Sequence, residues 1–108
     1  MSKIEFSKLK RNTIIIVETD NSVFEIVVTG PKGGSVSITG GKSFIRPTKA
    51  TFMGSIKDGK ILEDKIEKNS RMKFFAKRTS KEKTVITSNV ITATVYAPDK
   101  SWKYDVIE

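Results

Sequence analysis

Gly41-Lys42-Ser43 ends the way a phosphate-binding loop of the type G-x-x-x-x-G-K-[ST] ends, where backbone N–H groups and a lysine cradle an anion. That pattern needs a glycine five residues before Gly41, and Val36 stands there; it also needs a helix next, which Pro47 cuts short. What survives is a looser cradle. Six of the seven glycines lie between Gly30 and Gly54, and residues 26–57 hold no Asp or Glu while Lys32, Lys42, Arg46, Lys49 and Lys57 are basic. Glycine permits positive φ and close approach of N–H groups to a ligand, so Gly40, Gly41, Lys42, Ser43 and Arg46 form a candidate anion site. Ser55 and the hydroxyl pair Thr87 and Ser88 are its candidate hydrogen-bonding partners. The same glycines also suit plain hairpin turns, and both readings stand together.

A second constellation is basic and aromatic. Arg71, Lys73, Lys77, Arg78, Lys81 and Lys83 are opposed locally by Glu82 alone, and Phe75 shares a strand face with Lys73 and Lys77. Single-stranded nucleic acids bind such surfaces by stacking bases on rings and contacting phosphates with cations. Phe75 as a core residue is the competing reading. Trp102 and Tyr104, flanked by Lys100 and Lys103 and near Tyr96, either close the core or offer a stacking platform. Thr87-Ser88-Asn89 either satisfies a bulge or faces a ligand.

Other chemistries are excluded by composition. The chain has no cysteine and no histidine, which removes disulfides, thiolate nucleophiles, Ser-His-Asp catalysis and the usual zinc sites. Glu63, Asp64 and Glu67 are the one acidic cluster, interleaved with Lys60, Lys65 and Lys68 as on a solvated surface. No catalytic residues, metal ligands or cofactor are therefore expected. A net charge of +8 favours anionic partners, although sixteen of the twenty basic residues are lysines, the commonest surface cation.

These residues need elements to position them. At 108 residues the chain is expected to be one domain, 1–108, with one core. The longest apolar run, Ile14-Ile15-Ile16-Val17, is strand-sized, and no secretory h-region is visible, so the expectation is a cytoplasmic protein with no membrane partner. Residues 3–12 predict a short helical turn capped by Ser7 that tucks Leu9 under the core. Residues 13–19 and 23–29 predict a hairpin, with Phe24, Ile26 and Val28 on one face and Val23, Glu25 and Val27 on the other. Residues 35–39 alternate as a half-buried strand; residues 50–56 predict a fourth, with Gly54 at a bulge and Pro47 in a loop or at an edge. Residues 61–68 place Ile61, Leu62, Lys65 and Ile66 on one helical face until Asn69-Ser70 breaks it, and residues 60–63 equally suit a strand; the segment is read as strand or irregular. Arg71–Arg78, with Met72, Phe74 and Ala76 opposite Lys73, Phe75 and Lys77, then 84–96 and 101–107, complete the pattern, with a long polar tip at 78–83. Seven to nine short antiparallel strands make an all-β small barrel or sandwich.

The order Asn21-Ser22-Val23-Phe24-Glu25-Ile26, Gly40-Gly41 followed by Phe44 and Pro47, Gly54-Ser55, Met72-Lys73-Phe74 and Thr87-Ser88-Asn89-Val90 resembles a family of small uncharacterised all-β proteins of bacterial and viral genomes, over residues 9–95. The resemblance implies a barrel-like fold and carries no function with it.

The expectation that follows is a non-enzymatic binding protein for a phosphate-bearing nucleotide or nucleotide-type signal, held by residues 40–46, Ser55, Thr87 and Ser88. Small size and the absence of catalytic residues would also fit a viral protein that sequesters such a signal. The alternatives are a single-stranded nucleic-acid-binding module using Arg71, Lys73, Phe75, Lys77, Arg78, Lys81 and Lys83, and a structural homo-oligomer joined through an exposed strand edge.

Overall fold

The structure is a computed structural model and describes residues 3–78 and 81–107. Ten strands and one 3-10 turn succeed one another: β1 Lys3–Glu5, the turn Phe6–Lys8, β2 Ile14–Thr19, β3 Val23–Gly30, β4 Ser35–Gly40, β5 Phe44–Lys57, β6 Lys60–Leu62, β7 Lys65–Glu67, β8 Arg71–Arg78, β9 Lys81–Tyr96 and β10 Lys103–Ile107. The ladders β2-β3-β4-β5 continue through β8, which pairs with both β5 and β9, and β9 returns to β2. The result is a closed barrel of six antiparallel strands. Closure removes the open edges of a sheet, and here β6 and β10 are the strands left flanking it.

Strand alternation builds the core as the residue pattern predicts. Phe24, Ile26 and Val28 of β3 and Met72, Phe74 and Ala76 of β8 are buried, while Glu25, between the first set, and Lys77, next to Ala76, are exposed. A chain of rings runs through the interior: Phe6 lies 5.1 Å from Phe52, Phe52 5.6 Å from Phe74, and Phe74 6.2 Å from Phe44 in an edge-on contact. Full burial of each such ring is worth about 1.5–3 kcal/mol. Beside the barrel, β1 pairs with β7 through Ile4 and Ile66, both buried.

Three local expectations are corrected. Ser7 is not a cap: the turn has no side-chain cap, and Asp64 holds the segment by accepting from the Ser7 N–H at 2.7 Å and from the Ser7 hydroxyl, while Leu9 packs partly buried against the core as expected, with Phe6 fully buried beside it. The strand expected from residue 50 is β5, which begins at Phe44 and runs for 14 residues; Pro47 stands inside it at an edge, one of its two expected places, where the β4–β5 register shifts and the other side is free of the β8 ladder. The polar tip is shorter than predicted, since Lys81 to Lys83 belong to β9; Thr79 and Ser80 lie outside the described residues. Gly54 does mark a bulge: with φ +87°, it sits where the β5–β8 register shifts, and a Cβ there would stand 2.6 Å from the Leu62 carbonyl oxygen. Among the described residues no helix is long and apolar enough to cross a membrane.

Candidate functional site

The expected anion site assembles in part. The β2–β3 turn, the β4–β5 turn and β9 meet at one end of the barrel, where Gly41, Lys42 and Ser43 face Thr87 and Ser88 across a cleft of about 140 Å³ that Asn21 and Ser22 also line. Gly40 is structural, since its φ of +142° brings a would-be Cβ within 2.3 Å of the Val23 carbonyl oxygen. Arg46 is exposed on the irregular part of β5 and does not line the cleft. Ser55 does not line it either: it is buried, and its hydroxyl donates to the Lys65 carbonyl at 2.7 Å, tying β7 to the barrel.

The Thr87 and Ser88 hydroxyls of the cleft already have partners. Thr87 Oγ1 accepts from the Met72 N–H at 3.0 Å and donates to the Ser88 carbonyl, which satisfies the bulge where β9 slips against β8. Ser88 Oγ donates to Thr19 Oγ1 at 2.9 Å and accepts from the Asn21 N–H. Lys42 is the exposed cation of the cleft. The acidic cluster is likewise engaged in holding the fold: Asp64 secures Ser7, and Glu67 pairs with Lys57 at 3.2 Å.

The basic and aromatic constellation divides between two faces. Arg71, Lys73, Phe75 and Lys77 point outward from β8, opposite the buried Met72, Phe74 and Ala76. Phe75 is half-buried and belongs to the outer wall. Lys83 pairs with Ala76 and reaches the other way, its ammonium 3.2 Å from the Ser43 carbonyl and 5.9 Å from the centre of the Phe44 ring. Lys81, two residues earlier on β9, shares that face by alternation. The side chain of Arg78 lies outside the described residues.

Around Phe75 the structure adds what the sequence order conceals. Thr51 and Phe75 pair across β5 and β8, and no further pair joins the two strands towards Lys49 and Lys77 among the described residues. A groove of about 680 Å³ opens there on the outer wall. Ladder register brings Ser35 opposite Thr51 and Ser37 opposite Lys49, so hydroxyls of β4 form the floor beside the ring. Arg11, just before β2, and Thr29 and Gly30, at the end of β3, complete the rim. Three cations from three separate segments, Arg11, Lys49 and Lys77, thus line one groove that holds an aromatic ring, with Lys77 and Lys49 at the Phe75 end and Arg11 at the other. None of the described residues lining the groove is acidic, and Glu82 faces Lys77 from the next strand.

Trp102 does not close the core. It is 49% exposed and stacks on Tyr104, itself 50% exposed, with ring centres 5.1 Å apart and planes 19° from parallel. Comparison with protein-family models, with curated proteins and with solved structures finds no match.

Proposed function

We propose that this chain acts by binding rather than catalysis, as a β-barrel that takes single-stranded nucleic acid in the groove beside Phe75. One observation carries the reading: a groove on the outer wall is lined by a half-buried ring, Phe75, and by Arg11, Lys49 and Lys77, with serine and threonine hydroxyls between them and no carboxylate among the described lining residues. A base on such a ring contributes about 1–3 kcal/mol whatever its identity, and cations set to either side suit the phosphates that flank it. Size separates this site from the glycine-rich cleft. Small-molecule pockets are usually about 300–1,000 Å³; the groove, at about 680 Å³, has room for a nucleotide unit, and the cleft, at about 140 Å³, does not.

The test is fluorescence anisotropy with a labelled ten-residue oligothymidylate and its duplex form. Single-strand binding that survives a competing duplex and is lost in Phe75→Ala is the expected result. Equal binding of strand and duplex, or an unaltered Phe75→Ala, would overturn the assignment.

A second reading is supported by the meeting of Gly41, Lys42 and Ser43 with Thr87 and Ser88. A cleft of that size suits a lone phosphate group, with Lys42 supplying the charge.

A further inference from the structure

The outer wall continues from the groove in a row fixed by ladder register. Lys49 opposes Ser37, Ser37 opposes Val27, Val27 opposes Ile14, Ile14 opposes Tyr96, and Tyr96 opposes Lys103. The four middle residues are half-buried and the lysines at both ends are exposed. The row therefore starts in the groove, crosses an apolar floor of Val27 and Ile14, and ends on an aromatic ring. Lys103 holds its ammonium 5.9 Å from the centre of that ring.

Charge is distributed unequally on the two sides of the row. On one side, towards the strand ends, stands Arg11 with Gly30. On the other, the next row by the same ladders runs Thr39, Glu25, Ile16, Thr94 and Asp105, with Thr94 donating to Asp105 at 2.7 Å. Phosphates are favoured along the first side and disfavoured along the second.

We propose that the nucleic-acid strand bound at Phe75 continues along this row to Tyr96, a second base anchor, with its bases over Val27 and Ile14 and its phosphates on the Arg11 side. The inference rests on the reading of the groove. A base on Tyr96 displaces the Lys103 ammonium from the ring, which frees that cation for a phosphate; an exposed cation–π contact is the weaker of the two interactions. From β8 through β5, β4, β3 and β2 to β9 is five of the six inter-strand steps round the closed barrel, a contour of about 24 Å at the backbone, at roughly 4.8 Å each, and longer on the outer wall. At the stacked rise of about 3.4 Å the backbone contour alone corresponds to about seven nucleotides.

The experiment is an anisotropy series with labelled oligothymidylates of increasing length, from three to ten residues, against the wild type, Phe75→Ala and Tyr96→Leu, the last keeping apolar bulk opposite Ile14. The expected result is affinity that climbs with length to about seven residues and then levels. Tyr96→Leu should weaken the ten-residue strand about tenfold and leave the three-residue strand unchanged, while Phe75→Ala weakens both. If Tyr96→Leu binds the ten-residue strand like the wild type, or three and ten residues bind alike, the second anchor is wrong and the groove stands. If no length binds the wild type, the groove reading itself falls.

Discussion

Thr51 and Phe75 are the last bonded pair of the β5–β8 ladder, and beyond them the strands diverge into walls that carry Lys49 and Lys77. This is why an aromatic ring next to a buried one can serve a surface. Phe74 is fully buried among Phe44 and Phe52, whereas Phe75 is half-buried in the outer wall. Phe75→Ala should therefore abolish most oligonucleotide binding at a distinctly smaller cost in stability than Phe74→Ala, since the Phe75 ring is only partly covered. Phe74→Ala should cost about 3–5 kcal/mol of stability, a large share of the 5–15 kcal/mol typical of a domain. Urea titration beside the binding assay separates the two. A reversed outcome would mean that β8 presents the opposite face.

Salt dependence distinguishes cations that touch phosphate from those that do not. For a single strand, log K falls with log salt by about 0.7 for each phosphate neutralised. Lys49→Gln and Lys77→Gln should each flatten the slope by about that amount. Lys83→Gln should leave it unchanged, because Lys83 is turned to the Ser43 carbonyl and the Phe44 ring on the other face. Titrations between 50 and 300 mM salt provide the comparison, and a Lys83 effect equal to that of Lys77 would place the strand elsewhere.

The barrel was legible because alternation and burial coincide: Phe24, Ile26 and Val28, or Met72, Phe74 and Ala76, can sit on one side of a strand only if that side is the core. Turn glycines and the Asp58-Gly59 pair marked the hairpins for the same local reason. Pro47 hid the first part of β5, because proline is barred only from a ladder that needs its N–H, and the β8 ladder begins only at Thr51. The groove was half legible. Phe75 and Lys77 adjoin in the chain and could be read together, with Lys73 outside the groove, but Arg11, Ser35, Lys49 and Thr51 join them through four ladders whose register no single segment encodes. Ser55 was misplaced because a hydroxyl beside a glycine looks the same in sequence whether it faces a ligand or a buried carbonyl.

Glycine substitutions should separate turn from cradle. Gly40 and Gly59 both have positive φ, but a Cβ at Gly40 meets the Val23 carbonyl oxygen at 2.3 Å while one at Gly59 meets nothing within 4 Å. Gly59→Ala should cost about 1 kcal/mol from backbone conformation alone, and Gly40→Ala distinctly more, since the clash adds to a strain of about 1–3 kcal/mol. Thermal melts of the two variants side by side check the order.

Binding should be insensitive to pH through the neutral range. The chain has no histidine or cysteine, so no side chain of ordinary value titrates between pH 5 and 8. Stability should respond only in acid. The hydrogen bond from Lys8, reinforced by its charge in an ion pair of 3.0 Å, holds the Glu5 carboxyl below the usual glutamate range. A carboxylate whose folded value lies below its unfolded one, about 4.3 for glutamate, contributes stability above that pH and loses it as the pH falls through the folded value. Melting temperature should thus be level from pH 8 to 5 and fall below about pH 4, with Glu5→Gln reducing the acid-side slope; a decline already at pH 6 would contradict it.

The glycine-rich cleft permits a test built on the separation of two residues that the sequence suggested would act together. Lys42 lines the cleft with Gly41 and Ser43, while Arg46 stands apart on the irregular part of β5, its carbonyl accepting from the Thr48 hydroxyl at 2.8 Å. If a phosphate binds there, Lys42→Ala should weaken it about five- to tenfold, which is the loss of one partly exposed charge-assisted contact of about 1–1.5 kcal/mol. The double variant Lys42→Ala with Arg46→Ala should be no weaker than Lys42→Ala alone. Isothermal titration with inorganic phosphate at low salt measures both. An additive loss from Arg46 would mean that the β4–β5 turn folds over its ligand and brings the guanidinium in, and no loss from either would leave Gly40 and Gly41 as turn residues whose conformation serves the barrel alone.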